Sequence, residues 1–202
     1  MTAHTSSINE VISAKSEAGS TKTFGFWVYL MTDLTLFSAL FACFLVLRSN
    51  SFNGPSLKDL FHLQPVLVET LCLLTSTFTC SLGLLSVFRR IKTWALIWFF
   101  ITFCLGVAFL YIEISEFIDF VGKGASPQRS AALSSFFTLV GTHGFHITIG
   151  LLWMAVMMFR IGMRPITHHA VPRIFCMALF WHFLDFIWIF IFTVVYGMGY
   201  LL

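Results

Sequence analysis

Charge is what this sequence has least of. Only 10% of its 202 residues are Asp, Glu, Lys or Arg, where an ordinary globular domain carries about 25%. That scarcity excludes a solvated surface of normal size, and no nucleic-acid partner is expected. Metal-binding side chains are also few. Of 7 histidines, His4, His62, His168 and His169 fall in the tail or in connectors, which leaves too few for the several histidine boxes of a membrane di-iron enzyme. The 5 cysteines, Cys43, Cys72, Cys80, Cys104 and Cys176, include no Cys-x-x-Cys pair. All lie in apolar segments and read as small buried free thiols. A signal-peptide pattern is missing as well, because the first apolar run starts only at Phe24 and is long enough to span, so it is expected to stay as a membrane helix. No repeat of fixed period appears, which argues against an inverted-repeat transporter.

Apolar residues fill the space that charge leaves. They make up 58% of the chain, and phenylalanine alone occurs 25 times. The apolar residues gather in five segments, at about 24–47, 66–88, 94–117, 132–159 and 174–200. Each exceeds the roughly 20 residues that a helix needs to cross the hydrocarbon core. The expected fold class is therefore all-α, a polytopic membrane protein built as a bundle of five transmembrane helices. Residues 1–22 form a polar, Ser-rich N-terminal tail, expected to be disordered at least in part, and 23–202 form the membrane domain. The connectors "RSNSFNGPSLKD", "RRIKT", "GKGASPQR" and "RIGMRPITHHAVPR" carry the turn chemistry, and "RRIKT" predicts a tight turn.

The few basic residues are unevenly placed. Lys15, Lys22, Arg89, Arg90, Lys92, Arg160, Arg164 and Arg173 fall on one side, against Arg48, Lys58, Lys123 and Arg129 on the other, an 8 to 4 bias. The positive-inside rule then puts the N-terminus in the cytoplasm and the C-terminus outside. Trp27, Tyr29, Trp94, Trp98, Tyr111, Tyr196 and Tyr200 near the helix ends read as an interfacial aromatic belt.

An ionisable residue inside the membrane costs at least a few kcal/mol and needs a partner or a task. In "GTHGFHITIG", His143 lies ~17 Å along the fourth helix and His146 follows on the same face. Gly141 and Gly144 let another helix approach. In "WHFLDFIW" on the fifth helix, His182 and Asp185 repeat the i, i+3 spacing at similar depth. An interhelical hydrogen-bond cluster, with a neutral histidine donating to Asp185, accounts for this pattern. So does a haem held by His143 or His146 with His182, or a path for protons. Asp33 lies ~13 Å into the first helix and is read as a buried acid facing other helices. Glu69 sits one turn inside the second helix and is open to lipid contact, to pairing or to proton relay. Glu113 and Glu116, with Asp119 beyond, read as a solvated outer helix end that Lys123 or Arg129 helps to neutralise.

Long motifs support a resemblance. "GTHGFHITIGLLW" (141–153) followed by "WHFLDFIWIFIFTVVY" (181–196) resembles the last two helices of subunit III of the haem-copper terminal oxidases. "KTFGFWVYLMTDLTLFSALFA" (22–42), "PVLVETLCLLTSTFT" (65–79) and "EISEF" (113–117) resemble its earlier helices in the five-helix form found in bacterial quinol oxidases of the cytochrome bo type. The resemblance covers about Lys22 to Tyr200. It implies a non-catalytic subunit of a proton-pumping quinol oxidase in the aerobic respiratory chain. The haem and copper would then belong to a partner, catalytic subunit I, and this chain would hold no cofactor of its own. Subunit II and a small subunit IV are the other implied partners, and the bacterial inner membrane is the implied location, with a periplasmic C-terminus. Asp33, His143, His146, His182 and Asp185 become structural contacts between helices. Glu69 falls at a cleft filled with phospholipid that opens toward an oxygen route into the catalytic subunit. A cytochrome c oxidase subunit III, a self-contained membrane haem protein and a small proton-coupled transporter using Asp33, Glu69 and Asp185 are the alternatives.

Overall fold

The computed structural model describes residues 2–48, 63–122, 130–163 and 170–197, and among them there is helix and no strand. The helices are α1 Thr2–Leu47, α2 Leu63–Phe88, α3 Lys92–Gly122, α4 Ala131–Met163 and α5 Val171–Ile191, the last continued by a π-helical turn over Phe192–Gly197. Five helices are long and apolar enough to cross a membrane. Their outward faces are as apolar as the core: Leu71, Phe78, Phe145, Leu152 and Phe159 are each more than 60% exposed. An aqueous surface would not tolerate such a belt, but lipid does.

The helices run beyond the apolar segments that predict them. α1 starts at Thr2, so residues 2–22 extend the first helix where a partly disordered tail is expected. They contain no proline, and adding residues to a helix already nucleated in the membrane costs far less than starting one. α3 and α4 extend to Gly122 and Met163 for the same reason. Among the described residues proline appears only where a helix tolerates it, as Pro65 in the first turn of α2 and Pro172 at the start of α5. The connectors at 49–62, 123–129 and 164–169 lie outside the described residues, together with His62, Lys123, Arg129, His168, His169 and Tyr200.

The turn after α2 is as tight as "RRIKT" predicts. Arg90 takes a left-handed backbone (φ 57°). Its N–H donates to the Val87 carbonyl (3.0 Å) and the Ile91 N–H to the Ser86 carbonyl (3.0 Å). This is the Schellman pattern of helix termination, with arginine where glycine is commoner. Lys92 Nζ then donates to the Gly162 carbonyl at the end of α4 (2.7 Å), where a cation suits the helix dipole.

α4 and α5 form the central pair. α1 packs on both of them, and the α2–α3 hairpin covers the other side, with α3 on α4 and α2 on α5. Close approach depends on small residues. A Cβ on Gly106 of α3 would meet the Trp181 ring at 2.7 Å, and one on Gly150 of α4 would meet it at 3.3 Å. The Trp181 indole of α5 therefore sits flat between α3 and α4, and its Nε1 donates to Ser76 Oγ of α2 (3.1 Å). In the absence of a hydrophobic force between helices in lipid, such packing and hydrogen bonding hold a bundle together.

The cysteines correct one expectation. Cys80 is buried, but Cys43 and Cys104 are exposed and Cys72 and Cys176 half-buried. An apolar segment of a membrane helix has an apolar outer face, so lying in it does not imply burial. Trp27, Tyr29, Trp94 and Tyr111 are exposed; Trp94 lies in the first turn of α3 and stacks on Trp98 (6.5 Å between centroids), whereas Trp27 and Tyr29 lie midway along α1 because that helix begins at Thr2.

Candidate functional site in the polar interior

Along α2 a buried seam runs through Val66, Glu69, Leu73, Ser76, Cys80, Gly83 and Val87, with Thr79 buried beside it, and along α3 one runs through Ala95, Phe99, Thr102, Gly106, Phe109 and Glu113, with Phe120 buried further on. Steps of three and four alternate without a break, which is the seam of a left-handed helix pair. Polar residues on those seams point into the bundle. Hydroxyls at these depths find acceptors within their own helix: Ser76 Oγ donates to the Leu73 carbonyl (2.7 Å) and Thr148 Oγ1 to the Gly144 carbonyl (2.8 Å). Thr79 and Thr102 also join α2 to α3 at 2.8 Å.

Three contacts involve the candidate residues. Asp33 of α1 places Oδ1 3.4 Å from His146 Nε2 of α4. His146 Nδ1 donates to the Thr142 carbonyl (2.7 Å), and because a carbonyl only accepts, Nδ1 must carry a proton. With Nδ1 so engaged, Nε2 is the ring nitrogen that faces the Asp33 carboxyl across the α1–α4 contact. His182 of α5 repeats the arrangement. Its Nδ1 donates to the Ala178 carbonyl (2.7 Å), and its Nε2 lies 2.9 Å from Ser81 Oγ of α2. Trp188 Nε1 of α5 donates to Thr70 Oγ1 of α2 (3.2 Å).

His143 is different. It is fully buried, and neither ring nitrogen has a hydrogen-bond partner among the described residues. It stacks on Trp188 (5.4 Å, 28°) and meets Phe37 and Phe109 edge-on (6.3 and 6.2 Å). The expected hydrogen bond from a histidine to Asp185 is not formed. His143 lies in an aromatic box between α1, α3 and α5, and Asp185 sits beside Thr77 and His182 with Oδ1 unpartnered. The structure thus joins Asp33 to His146 and His182 to Ser81, and leaves His143 and Asp185 apart.

Glu69 is 1% exposed and Glu113 4%, and no oxygen of either carboxyl has a partner among the described residues. The two lie near enough to each other and to half-buried Glu116 to interact electrostatically. Glu113 is the residue that sequence reasoning placed wrongly. It is read as part of a solvated helix end, yet its carboxyl packs over Gly144, where a Cβ would come within 3.0 Å of Oε1. The signal was available in the seam of α3, which runs through Gly106 and Phe109 directly to Glu113. Gly141 and Gly144 do admit a neighbouring helix, and that helix is α3, through Phe117 and Glu113.

Among the described residues no cluster of three or more His, Cys, Asp or Glu is arranged to hold a metal ion. The ring nitrogens of His146 and His182 already face partners within the chain, so a haem between them would have to break those contacts.

Comparison with known proteins extends the picture over nearly the whole chain. The family profile described as cytochrome c oxidase subunit III matches residues 17–200. Cytochrome bo(3) ubiquinol oxidase subunit 3 of Pseudomonas aeruginosa is 51% identical over 183 residues, 91% of this chain and 88% of that protein. Quinol oxidase subunit 3 of Bacillus subtilis is 41% identical over 191 residues, 95% and 94% of the two chains. The cytochrome bo(3) ubiquinol oxidase subunit 3 of Buchnera aphidicola is 41% identical over 180 residues, 89% and 93%.

Proposed function

From the chain's membership of the cytochrome c oxidase subunit III family, we propose that it serves as subunit III of a ubiquinol oxidase, the complex that couples quinol oxidation to the reduction of oxygen. The observation that carries this reading is the extent of the likeness to proteins named quinol oxidase subunit 3, 41–51% identity over about nine-tenths of the chain. These names favour a quinol over cytochrome c as the electron donor. The chain is an accessory part of an oxidoreductase. Haem and copper reside in a partner, catalytic subunit I, and subunit II and a small subunit IV complete the complex. The self-contained haem protein is disfavoured because His146 and His182 already engage Asp33, Thr142, Ser81 and Ala178.

The work of this chain is positional. Asp33, His146 and His182 tie α1 to α4 and α2 to α5. His143 fills an aromatic box, and Asp185 faces α2 beside Thr77. Glu69 belongs to the lipid cleft by resemblance, although its carboxyl turns into the bundle. In this reading Leu67, Val68 and Leu71, exposed on the same helix, meet the acyl chains, and Glu69 shapes the helix behind them. Glu69→Gln should then leave initial oxygen consumption unchanged and shorten the time for which turnover is sustained. The five helices able to span a membrane and the bacterial oxidase subunits among the relatives support a multi-pass protein of the bacterial membrane, and the basic bias supports a cytoplasmic N-terminus.

The test is purification of the tagged chain from its native membrane in mild detergent. Recovery with a large haem-copper subunit and a quinol oxidase subunit II is the expected result. Recovery of this chain alone, with a haem absorption band, overturns the reading.

A further inference from the structure

His182 lies near the middle of the span Val171–Val195, a depth at which each charge state of an ionisable side chain needs its own partner. Its Nδ1 donates to the Ala178 carbonyl (2.7 Å). A carbonyl only accepts, so Nδ1 keeps its hydrogen, and the other nitrogen decides the charge of the ring. That nitrogen, Nε2, lies 2.9 Å from Ser81 Oγ of α2. The same oxygen lies 3.0 Å from the Thr77 carbonyl, one turn back on its own helix. A serine hydroxyl has a single hydrogen that rotates and two lone pairs that accept. Beside a neutral ring it donates to Nε2. Beside an imidazolium it turns its hydrogen to the Thr77 carbonyl and accepts from Nε2. Both ring nitrogens and the hydroxyl are satisfied in either state, and the change between them is a rotation about one C–O bond.

The other two histidines within the spans are placed differently. His143 would hold a second ring proton with no acceptor among the described residues, and His146 Nε2 faces the Asp33 carboxyl, which competes for the same proton. At His182 the counter-charge stands apart from the acceptor. Asp185, one turn further along α5, interacts electrostatically with His182 and sits beside Thr77, and its Oδ1 has no hydrogen-bond partner among the described residues. The other ionisable groups on the helices packed against α5 are distant or engaged. α2 brings the Cys80 thiol, buried beside Ser81, whereas Glu69, Arg89 and Arg173 lie ~12 Å or more away along their helices. On α1, Asp33 is engaged with His146 of α4, and Glu10, Lys15, Glu17 and Lys22 precede the spanning part, which begins at Thr23. On α4, His143 is enclosed against Trp188. Ser81 is exposed and His182 half-buried, so the pair stands at the outer edge of the α2–α5 contact, where a proton can reach it.

We propose that His182 is a proton-binding site, in which Nε2 takes up a proton, the Ser81 hydroxyl turns from Nε2 to the Thr77 carbonyl to receive the new N–H, and the Asp185 carboxylate balances the charge. The proton comes from the aqueous medium and returns to it, and no other covalent bond is made or broken. The tie between α2 and α5 persists in both states, so the bundle holds a proton at mid-membrane depth without loosening the contact that holds it.

The test uses the full chain, purified with the subunits that accompany it, carrying histidine labelled with heavy nitrogen and held in phosphatidylcholine vesicles. Solid-state nuclear magnetic resonance separates the nitrogens of a neutral ring from those of an imidazolium. The His182 signals are those lost in His182→Gln; should that variant fail to assemble, the difference between Ser81→Ala and Ser81→Thr identifies the same ring. Spectra are followed from about pH 8 down to about pH 5, the window in which histidine changes charge. His182 should pass from an imidazole protonated at Nδ1 to an imidazolium. Ser81→Ala leaves the new N–H without its acceptor, and should move the midpoint to lower pH by about one unit, since a bond from a charged donor is roughly twice as strong as a neutral one. Ser81→Thr keeps the hydroxyl and should restore the midpoint. Asp185→Asn removes the counter-charge and should also move it to lower pH. A ring that stays neutral across the window overturns the proposal and leaves Ser81 and His182 as a structural bond alone. A midpoint unmoved by Ser81→Ala overturns it as well, as does one unmoved by Asp185→Asn.

Discussion

Where α1 meets α4 and where α5 meets α2, buried polar side chains reach a partner across the seam, with Asp33 Oδ2 and Asp185 Oδ1 left over; between α2, α3 and α4 Thr79 and Thr102 pair, but two whole carboxyls have no partner among the described residues. In the first region Asp33 faces His146, Ser81 faces His182, Ser76 receives the Trp181 N–H and Thr70 receives that of Trp188. In the second, Glu69 and Glu113 present carboxyl oxygens with no partner among the described residues, and the His143 ring lies nearby with both nitrogens unpaired. Both regions lie in the same bundle. A satisfied polar group in lipid contributes modestly to holding helices together, whereas an unsatisfied one carries its full desolvation cost. The first pattern is what assembly alone would produce. Among the described residues the second pattern adds no interhelical hydrogen bond at either carboxyl.

Removing a polar or aromatic side chain should cost stability in the paired region and little or none at the unpartnered carboxyls, and the largest effect belongs to the paired region. Trp181→Ala removes the ring between Gly106 and Gly150 together with its bond to Ser76. Large-to-small changes at buried aromatic sites cost about 3–5 kcal/mol, and the loss should appear as a lower melting temperature of the purified complex and as depletion of this chain from it. Trp181→Phe keeps most of the ring and should recover the greater part. If the two variants melted alike, the hydrogen bond rather than the packing would be the dominant contribution.

Gly144→Ala tests the unpaired region next. The new methyl group would lie 3.0–3.2 Å from the Glu113 carboxyl, so either the carboxyl moves or α3 and α4 separate. Overpacking of this kind costs about 1–3 kcal/mol. Combining it with Glu113→Ala should return most of the loss, and a double-mutant cycle on thermal stability measures that coupling. Additive effects would show that the carboxyl does not rest on Gly144.

Much of this organisation was legible in the sequence. Five apolar runs locate five spans because each backbone group in lipid must be satisfied within its own segment. The residues that go inward were legible too, but only through period. Asp33 follows Leu30 and precedes Phe37, Glu69 lies between Val66 and Leu73, and Glu113 follows Gly106 and Phe109. Each sits on a stripe with alternating steps of three and four. Proximity to a helix end suggested solvent for Glu113, and the stripe outranked it because α3 extends well beyond its apolar core, to Gly122. Pairing was not legible. His143 and His146 are alike in sequence and both face inward, yet a rotation of about 60° between i and i+3 about the helix axis turns one toward Asp33 and the other toward Trp188. Which neighbour each ring meets depends on how the helices cross, and spacing along one chain does not encode that.

Asp33→Asn makes the same comparison at a smaller magnitude. It keeps the shape and removes the charge opposite His146. Interhelical polar contacts in membranes average about 0.6 kcal/mol and reach about 1.7, so stability of the complex should fall within that range. A double variant with His146→Gln should show the coupling, whereas His143→Gln, which disturbs stacking on Trp188 and no hydrogen bond, should show none with Asp33.

The smallest expected change in stability is also the most discriminating. Glu113→Met replaces a carboxyl having no partner by an apolar side chain of similar length, on a seam that is otherwise apolar. Removing an unsatisfied buried polar group is neutral or favourable, so melting should stay within about 1 kcal/mol of the unmodified complex, on the stabilising side. A loss of several kcal/mol would mean that the carboxyl makes contacts essential to the fold, and the contrast between paired and unpaired regions would collapse. Sustained oxygen consumption then separates the remaining possibilities. If stability holds while turnover decays sooner, the acid between α2, α3 and α4 acts in the oxidase cycle through the assembled complex. If both hold, Glu113 is tolerated without a use, and the weight of the unpaired region shifts to Glu69.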